Sequence, residues 1–337
     1  MQSTVLRRSI RASSINTSKG RPKNNFPIWI ESRGHLPPAL APRHLARSVM
    51  GRGQVPPPLF LNTASYLSAA PKKPIMAKKK RSPGKPAPDS LEAALRNPRR
   101  ARGIGLLGDR EIKNFFELCD RFPNLRRLQI VGNRINRIPP NVFTRLPHLQ
   151  SLGIMCCPLE RLPASIGKLT RLERLDLSAN QLNSLPSSIG QLVKLKELEL
   201  PDNEIRRLPS AVGNLARLEY LDAAGNRLDR VPRELFQCAR LKMLHLPGNE
   251  LKTIPGEIGQ LRNLVDLHLN NNQLHKLPEE LDTLRRLQTL RLHRNRLKTL
   301  PETLAGLSLK ELTIAGNPLS TETKRWVSRR FSAILCE

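Results

Sequence analysis

A leucine pattern recurs at a fixed interval along most of this 337-residue chain, and it restricts the fold more tightly than any other feature. The motif L-x-x-L-x-L-x-x-N-x-L-x-x-L-P begins at Leu125, Leu149, Leu172, Leu195, Leu218, Leu241, Leu264, Leu287 and Leu309. The spacings are 24 residues, then 23 six times, then 22. Apolar residues at the fourth and sixth positions, with polar ones between, have the period of a short strand with one buried face. The ninth position holds Asn133, Asn180, Asn203, Asn226, Asn249, Asn272, Asn295 and Asn317, with Cys157 standing in the second unit. There the chain turns away from the strand and leaves backbone groups unpaired inside the coil. An amide both donates and accepts, so stacked asparagines satisfy those groups as a ladder, and Cys157 weakens one rung. The proline after the next leucine, as at Pro163, Pro186 and Pro209, fixes the backbone for a tight return. A 23-residue unit leaves room there only for 3₁₀ or extended turns.

One unit cannot bury its own leucines, so units must stack and their ends need covers. The expected fold class is therefore α/β: a curved solenoid of nine repeats over 125–319, with a parallel sheet on its concave face. A helical cap is expected over 91–124, where Ile112, Phe115, Phe116 and Cys119 recur at i, i+3, i+4 and i+7. A second capping helix is expected over 320–337, N-capped by Ser320 and carrying Trp326, Val327, Phe331 and Ile334 on one side. Such an arrangement leaves no room for a separate catalytic domain.

Composition divides the chain. Residues 1–103 carry 21 Lys and Arg against three acids (Glu31, Asp89, Glu92), and 14 of the 29 prolines. Without spaced apolar side chains to offset chain entropy, residues 1–90 read as a disordered basic tail. Its first 25 residues have the composition of a mitochondrial transit peptide. Residues 72–85, with Lys78, Lys79, Lys80 and Arg81 together, suit a nuclear localisation cluster. Two further readings are a start at Met76 and an unstructured secretion leader, as an effector would carry.

The 23-residue units, with L-P-x-x-I-G-x-L in their second half (Leu185, Pro186, Ile189, Gly190, Leu192), resemble the Ras-group leucine-rich-repeat family of intracellular scaffolds. Arrays in bacterial effectors are similar. The resemblance covers about two thirds of the chain and implies a horseshoe fold with a protein-binding role. It names no partner, because the matching residues are the structural ones. Extracellular members usually flank their repeats with clustered cysteines. Cys119, Cys156, Cys157, Cys238 and Cys336 lack such spacing, which points to a reducing compartment. No run of 18 apolar residues is present to span a membrane.

Recognition must be written where the repeat leaves residues free. The third, fifth and seventh positions of each strand point out of the concave face, about 4.8 Å from their counterparts on the next strand. The fifth-position column reads Gln129, Gly153, Asp176, Glu199, Asp222, His245, His268, Arg291 and Thr313. Arg174, Glu197, Tyr220, Asp266 and His293 flank it. This face is acidic in repeats three to five and basic by repeat eight, a gradient that favours and orients a cationic protein partner. Glu199 and Asp222 are expected to be exposed, so that reversing both to Lys abolishes capture and spares stability. Asp222, His245 and His268, with Asp266 and His293, are residue types that bind transition metals, but an open sheet offers them no second shell, and no metal or cofactor is expected.

A second stripe precedes the first leucine of each unit: Arg171, Lys194, Arg217, Arg240 and Arg286, broken by Asn263. Solubilising cover is its simplest role, although with the tail and a net charge of +29 it supports salt-sensitive, non-specific nucleic-acid association. Stacking aromatics are scarce, with Tyr220 alone on the strands. The chain holds no G-x-x-x-x-G-K-[ST], H-E-x-x-H or C-x-x-C motif, and the vicinal pair Cys156-Cys157 reads as structural. The sequence thus predicts a non-enzymatic, monomeric, cytoplasmic scaffold or adaptor. A basic nucleic-acid- or ribosome-associated factor, and a substrate-selecting subunit of a ubiquitin ligase or phosphatase, are the alternatives.

Overall fold

A computed structural model describes residues 91–108, 115–332 and 335–336. The readings of residues 1–90, and the placements of Ile112 and Ile334 in capping helices, lie outside the described residues.

Eleven parallel strands form one sheet in strict sequence order. They are β1 (Gly103–Leu107), β2 (Arg127–Val131), β3 (Ser151–Met155), β4 (Arg174–Asp176), β5 (Glu197–Glu199), β6 (Tyr220–Asp222), β7 (Met243–His245), β8 (Asp266–His268), β9 (Thr289–Arg291), β10 (Glu311–Thr313) and β11 (Leu335–Cys336). Parallel neighbours need a crossover, and from β2 to β10 each crossover contains one short 3₁₀ turn. Those at Ser187–Gln191 and Ser210–Asn214, like most of the others, start after a proline with φ near −65°. The chain is a leucine-rich-repeat solenoid. The return is short because Pro186 and Pro209 set the turn, and because Gly190 and Gly213 lie where a Cβ would come within 2.5 Å of the next unit's backbone.

The leucines of the motif build one continuous core. Leu172, Leu175, Leu177, Leu182, Ile189 and Leu192 of the third unit are all buried, and the equivalent positions are buried in the fourth to eighth units. Inside the bend runs the amide ladder. Asn203 Nδ2 donates to Leu177 O of the preceding unit (2.9 Å) and to its own Leu200 O (3.0 Å), while its Oδ1 accepts from Leu182 N (3.0 Å). Asn226, Asn249, Asn272 and Asn295 repeat that geometry. Where Cys157 replaces Asn, its Sγ meets Met155 O at 3.2 Å and backbone groups of Gly132, Asn133 and Ile135, while Oδ1 of the neighbouring Asn180 is buried without a partner.

The ends differ in part from expectation. The sheet starts one strand before the leucine motif: β1 pairs in register with β2, Gly103 opposite Arg127 through Leu107 opposite Val131. The region expected to be a purely helical cap therefore contains a strand, flanked by α1 (Leu91–Arg96) and α2 (Phe115–Arg121). Cys119 and Phe122 bury beneath the first units. At the other end α3 (Thr321–Phe331) has Ser320 as N-cap, its Oγ accepting from Thr323 N at 3.1 Å, with Val327 and Phe331 buried.

Candidate functional site

Backbone register sets the concave face. Gly105, Gln129, Gly153, Asp176, Glu199, Asp222, His245, His268, Arg291 and Thr313 are successive Cα partners across β1 to β10, so the fifth-position column is one continuous row. Gly105 extends it by a rung that the leucine motif does not announce.

On β4 to β6 the row is a ladder of carboxylates. Asp176 Oδ1 accepts from the backbone N–H (3.0 Å) and the hydroxyl of Ser178. Glu199 lies between Asp176 and Asp222. Burial, and then the negative charges of Asp176, Glu197 and Asp222, push its carboxyl up to about 7, only partly offset by Arg174. Burial likewise raises Asp176 and Asp202. Asp202 was not foreseen as part of this cluster. It occupies the eighth position, one residue before the ladder asparagine, with φ at +56°, and Asp222 acts on it electrostatically.

Asp222 corrects an expectation. It is only 8% exposed. Its Oδ1 accepts from Ala224 N (2.9 Å) and its Oδ2 from the Tyr220 hydroxyl (3.1 Å). Replacing it would break internal hydrogen bonds, so only Glu199 of the pair allows a charge reversal that leaves the backbone alone.

From β6 to β9 the row changes character. The Tyr220 and His245 rings meet edge to face at 5.3 Å, and the His245 and His268 rings stack at 3.9 Å, 5° from parallel. Burial lowers the pKa of both imidazoles, and the neighbouring His245 and Arg291 help bring His268 down to about 4. His245 Nε2 is buried and without a hydrogen-bond partner. Beyond the stack, Arg291 Nε pairs with Glu311 at 2.7 Å, and His293 Nδ1 meets Thr313 Oγ1 at 2.9 Å. Arg174 and Glu197 pair across β4 and β5, with Nη2 to Oε1 at 2.7 Å, which leaves Glu199 as the carboxylate whose local charges are least compensated. Asp266 sits at the outward third position of β8. Among the described residues no group of three or more His, Cys, Asp and Glu could hold a metal ion.

The basic stripe runs along a flank of the coil, away from this row. Arg171 contacts His148 Nδ1 (3.1 Å) and Arg286 donates to Asn263 Oδ1 (2.9 Å), while Lys194, Arg217 and Arg240 are exposed. Beside it, Lys196 pairs with Glu173 and Lys242 with Glu219 at 2.8 and 2.7 Å. No described helix is long and apolar enough to cross a membrane.

A family model described as leucine-rich repeat region matches residues 109–222 and 188–271, and a second leucine rich repeat model matches 262–319. No curated protein matches the chain in sequence. Among solved structures, a TDR receptor is 28% identical with a TM-score of 0.59, over 65% of this chain and 39% of the receptor chain. The chain thus spans well under half of that receptor. A chain of the octameric complex of latrophilin 3, Unc5D and the FLRT2 leucine-rich repeats is 26% identical with a TM-score of 0.60, over 72% of this chain and 77% of that one. An LRR protein of Leptospira interrogans is 24% identical over 73% of this chain and 98% of its own, with a TM-score of 0.44.

Proposed function

We propose, from the premise that this chain belongs to the leucine-rich repeat family, that it is a scaffold or adaptor which holds a protein partner on its concave sheet and performs no chemistry of its own. The family's fold marks a protein-interaction module. The observation that carries the finer reading is the outward row itself: Asp176, Glu199, Asp222, His245, His268 and Arg291 on consecutive strands of an open face. Like charges stacked one strand apart repel, and a cationic partner segment relieves that repulsion. Tyr220 gives the row a large, rigid side chain at its centre, the residue type that most often anchors an interface. Arg174, Glu197, Asp266 and His293 form the polar rim, and Arg291 opposes the carboxylates from the far side, which sets the orientation of what binds. FLRT2, a structural neighbour, is a leucine-rich-repeat component of a multiprotein complex. We place the chain in the cytoplasm, a reducing compartment in which its free cysteines Cys119, Cys157 and Cys238 stay buried thiols.

Affinity capture with Glu199→Lys and Tyr220→Ala tests this reading. Both variants should lose the partner that the wild-type chain retains, and Glu199→Lys should do so with an unchanged thermal unfolding temperature. Retention by both variants would remove the concave row as the site.

A further inference from the structure

We propose that the chain supplies the first occupant of this face itself: the basic run Lys78, Lys79, Lys80 and Arg81 docks on the acidic half of the concave sheet, and an incoming partner must displace it. The proposal rests on the concave-face reading and adds to it the identity of a competing ligand.

Three observations converge. The first is charge. Residues 1–103 hold 21 Lys and Arg against three acids, whereas the outward carboxylates of the repeats cluster at Asp176, Glu199, Asp202 and Asp222. On consecutive strands Asp176, Glu199 and Asp222 are direct neighbours, and burial together with their mutual repulsion pushes Glu199 up to about 7. The second is polarity along the solenoid. The basic run precedes α1, which packs on β1, and the acidic rungs are β4 to β6, whereas the imidazole and arginine rungs are β7 to β9. The tail therefore joins the solenoid at the end nearer the acid. Had the same segment followed β11, it would first have met Arg291 and His293.

The third is reach. At about 4.8 Å per strand, Asp176 lies about 14 Å from β1 along the sheet, and Asp222 about 24 Å. Ten residue steps separate Arg81 from Leu91. A chain of ten steps spans at most about 33 Å. That is enough to round the edge and reach any of the three rungs. Tethering at this length gives an effective concentration on the order of millimolar, so a contact with a Kd of about 0.1 mM is about nine-tenths populated. The face is then selective by competition: it yields only to a partner that binds more tightly than four tethered cations.

Fluorescence anisotropy with a labelled peptide of residues 72–85 tests the proposal on the full chain. A chain carrying Lys78→Gln, Lys79→Gln, Lys80→Gln and Arg81→Gln should bind the peptide at least about tenfold more tightly than wild type, because the tethered competitor is gone. Adding Glu199→Lys to that chain should remove the binding. Equal affinity for the wild-type and glutamine chains overturns the tail's role and leaves the concave reading standing. Absence of binding to either chain overturns it as well. Binding that survives Glu199→Lys places the peptide elsewhere and overturns both. A concentration-dependent dimer of the wild-type chain that disappears in the glutamine chain assigns the segment to a second copy, and overturns the intramolecular contact.

Discussion

Replacing one ladder asparagine should cost far more than its size suggests, and Asn226 is the clearest case. The side chain is 7% exposed and makes four contacts to backbone. Its Nδ2 donates to Leu200 O at 2.9 Å, Ala223 O at 3.2 Å and Ala224 O at 3.1 Å, and its Oδ1 accepts from Ile205 N at 3.0 Å. Alanine removes the amide without opening a path for water. The Ile205 N–H then lies in the core with nothing to replace the amide, whereas the Leu200 carbonyl keeps the Asn203 Nδ2 donor at 3.0 Å. A buried group left unsatisfied costs about 1–3 kcal/mol, and at this fully enclosed rung Asn226→Ala should cost about 2–3 kcal/mol. Asn317→Ala is the internal control. Its side chain makes the same bonds, to Leu292 O (2.9 Å), Ile314 O (2.7 Å) and from Leu297 N (3.1 Å), but it sits on the last rung, half-buried. Water reaches that end, and the loss should fall to about 1 kcal/mol. The exposed change Lys252→Ala should stay within about 0.5 kcal/mol. Urea unfolding followed by circular dichroism gives all three from the shift in midpoint. Equal losses for Asn226→Ala and Asn317→Ala would refute the argument that burial of the partners, not the hydrogen bonds as such, sets the cost.

The converse substitution, Cys157→Asn, should stabilise the protein by about 1 kcal/mol, because Cys156 already has the left-handed backbone (φ +53°) that Ala179 uses before the ladder residue Asn180 (φ +53°). A lowered urea midpoint in that variant would show that the second unit's backbone does not fit the amide. Binding of the basic peptide to the glutamine-substituted chain should depend on pH. Glu199 titrates near 7 when the face is empty, and a bound cation favours its ionised form. Binding therefore releases a proton, and affinity should rise with pH up to about 7, by no more than tenfold per unit, and flatten above. Affinity that is flat or falling between about pH 5 and 7 would mean that Glu199 does not face the ligand.

Fold and outward row were legible in the sequence for one reason. A solenoid turns one-dimensional spacing directly into three-dimensional register, so Asp176, Glu199, Asp222, His245 and His268 could be placed side by side by counting. What depends on the size and reach of neighbours could not be counted. Asp222 reads as exposed by position, yet the Tyr220 hydroxyl two residues away folds over it and Ala224 N–H closes the other side. The imidazole stack is of the same kind, since register brings His245 and His268 together but only packing decides that they lie flat on one another. The strand at Gly103–Leu107 escaped because its unit carries neither the ladder asparagine nor the proline. Its apolar run, Ile104, Leu106 and Leu107, was the available signal. Asp202 escaped because the eighth position reads as a turn residue, and only the αL backbone there brings it toward Asp222.

Two neighbouring positions separate the concave face from the flank. Arg240 lies on the exposed basic stripe, and Met243, three residues later, lies on the outward face of β7 opposite Tyr220. A photo-crosslinking amino acid at each position, in otherwise wild-type chain bound to its partner, reads the docking surface directly. A covalent adduct is expected from position 243 and none from 240. An adduct from 240 with none from 243 would contradict the concave-face reading.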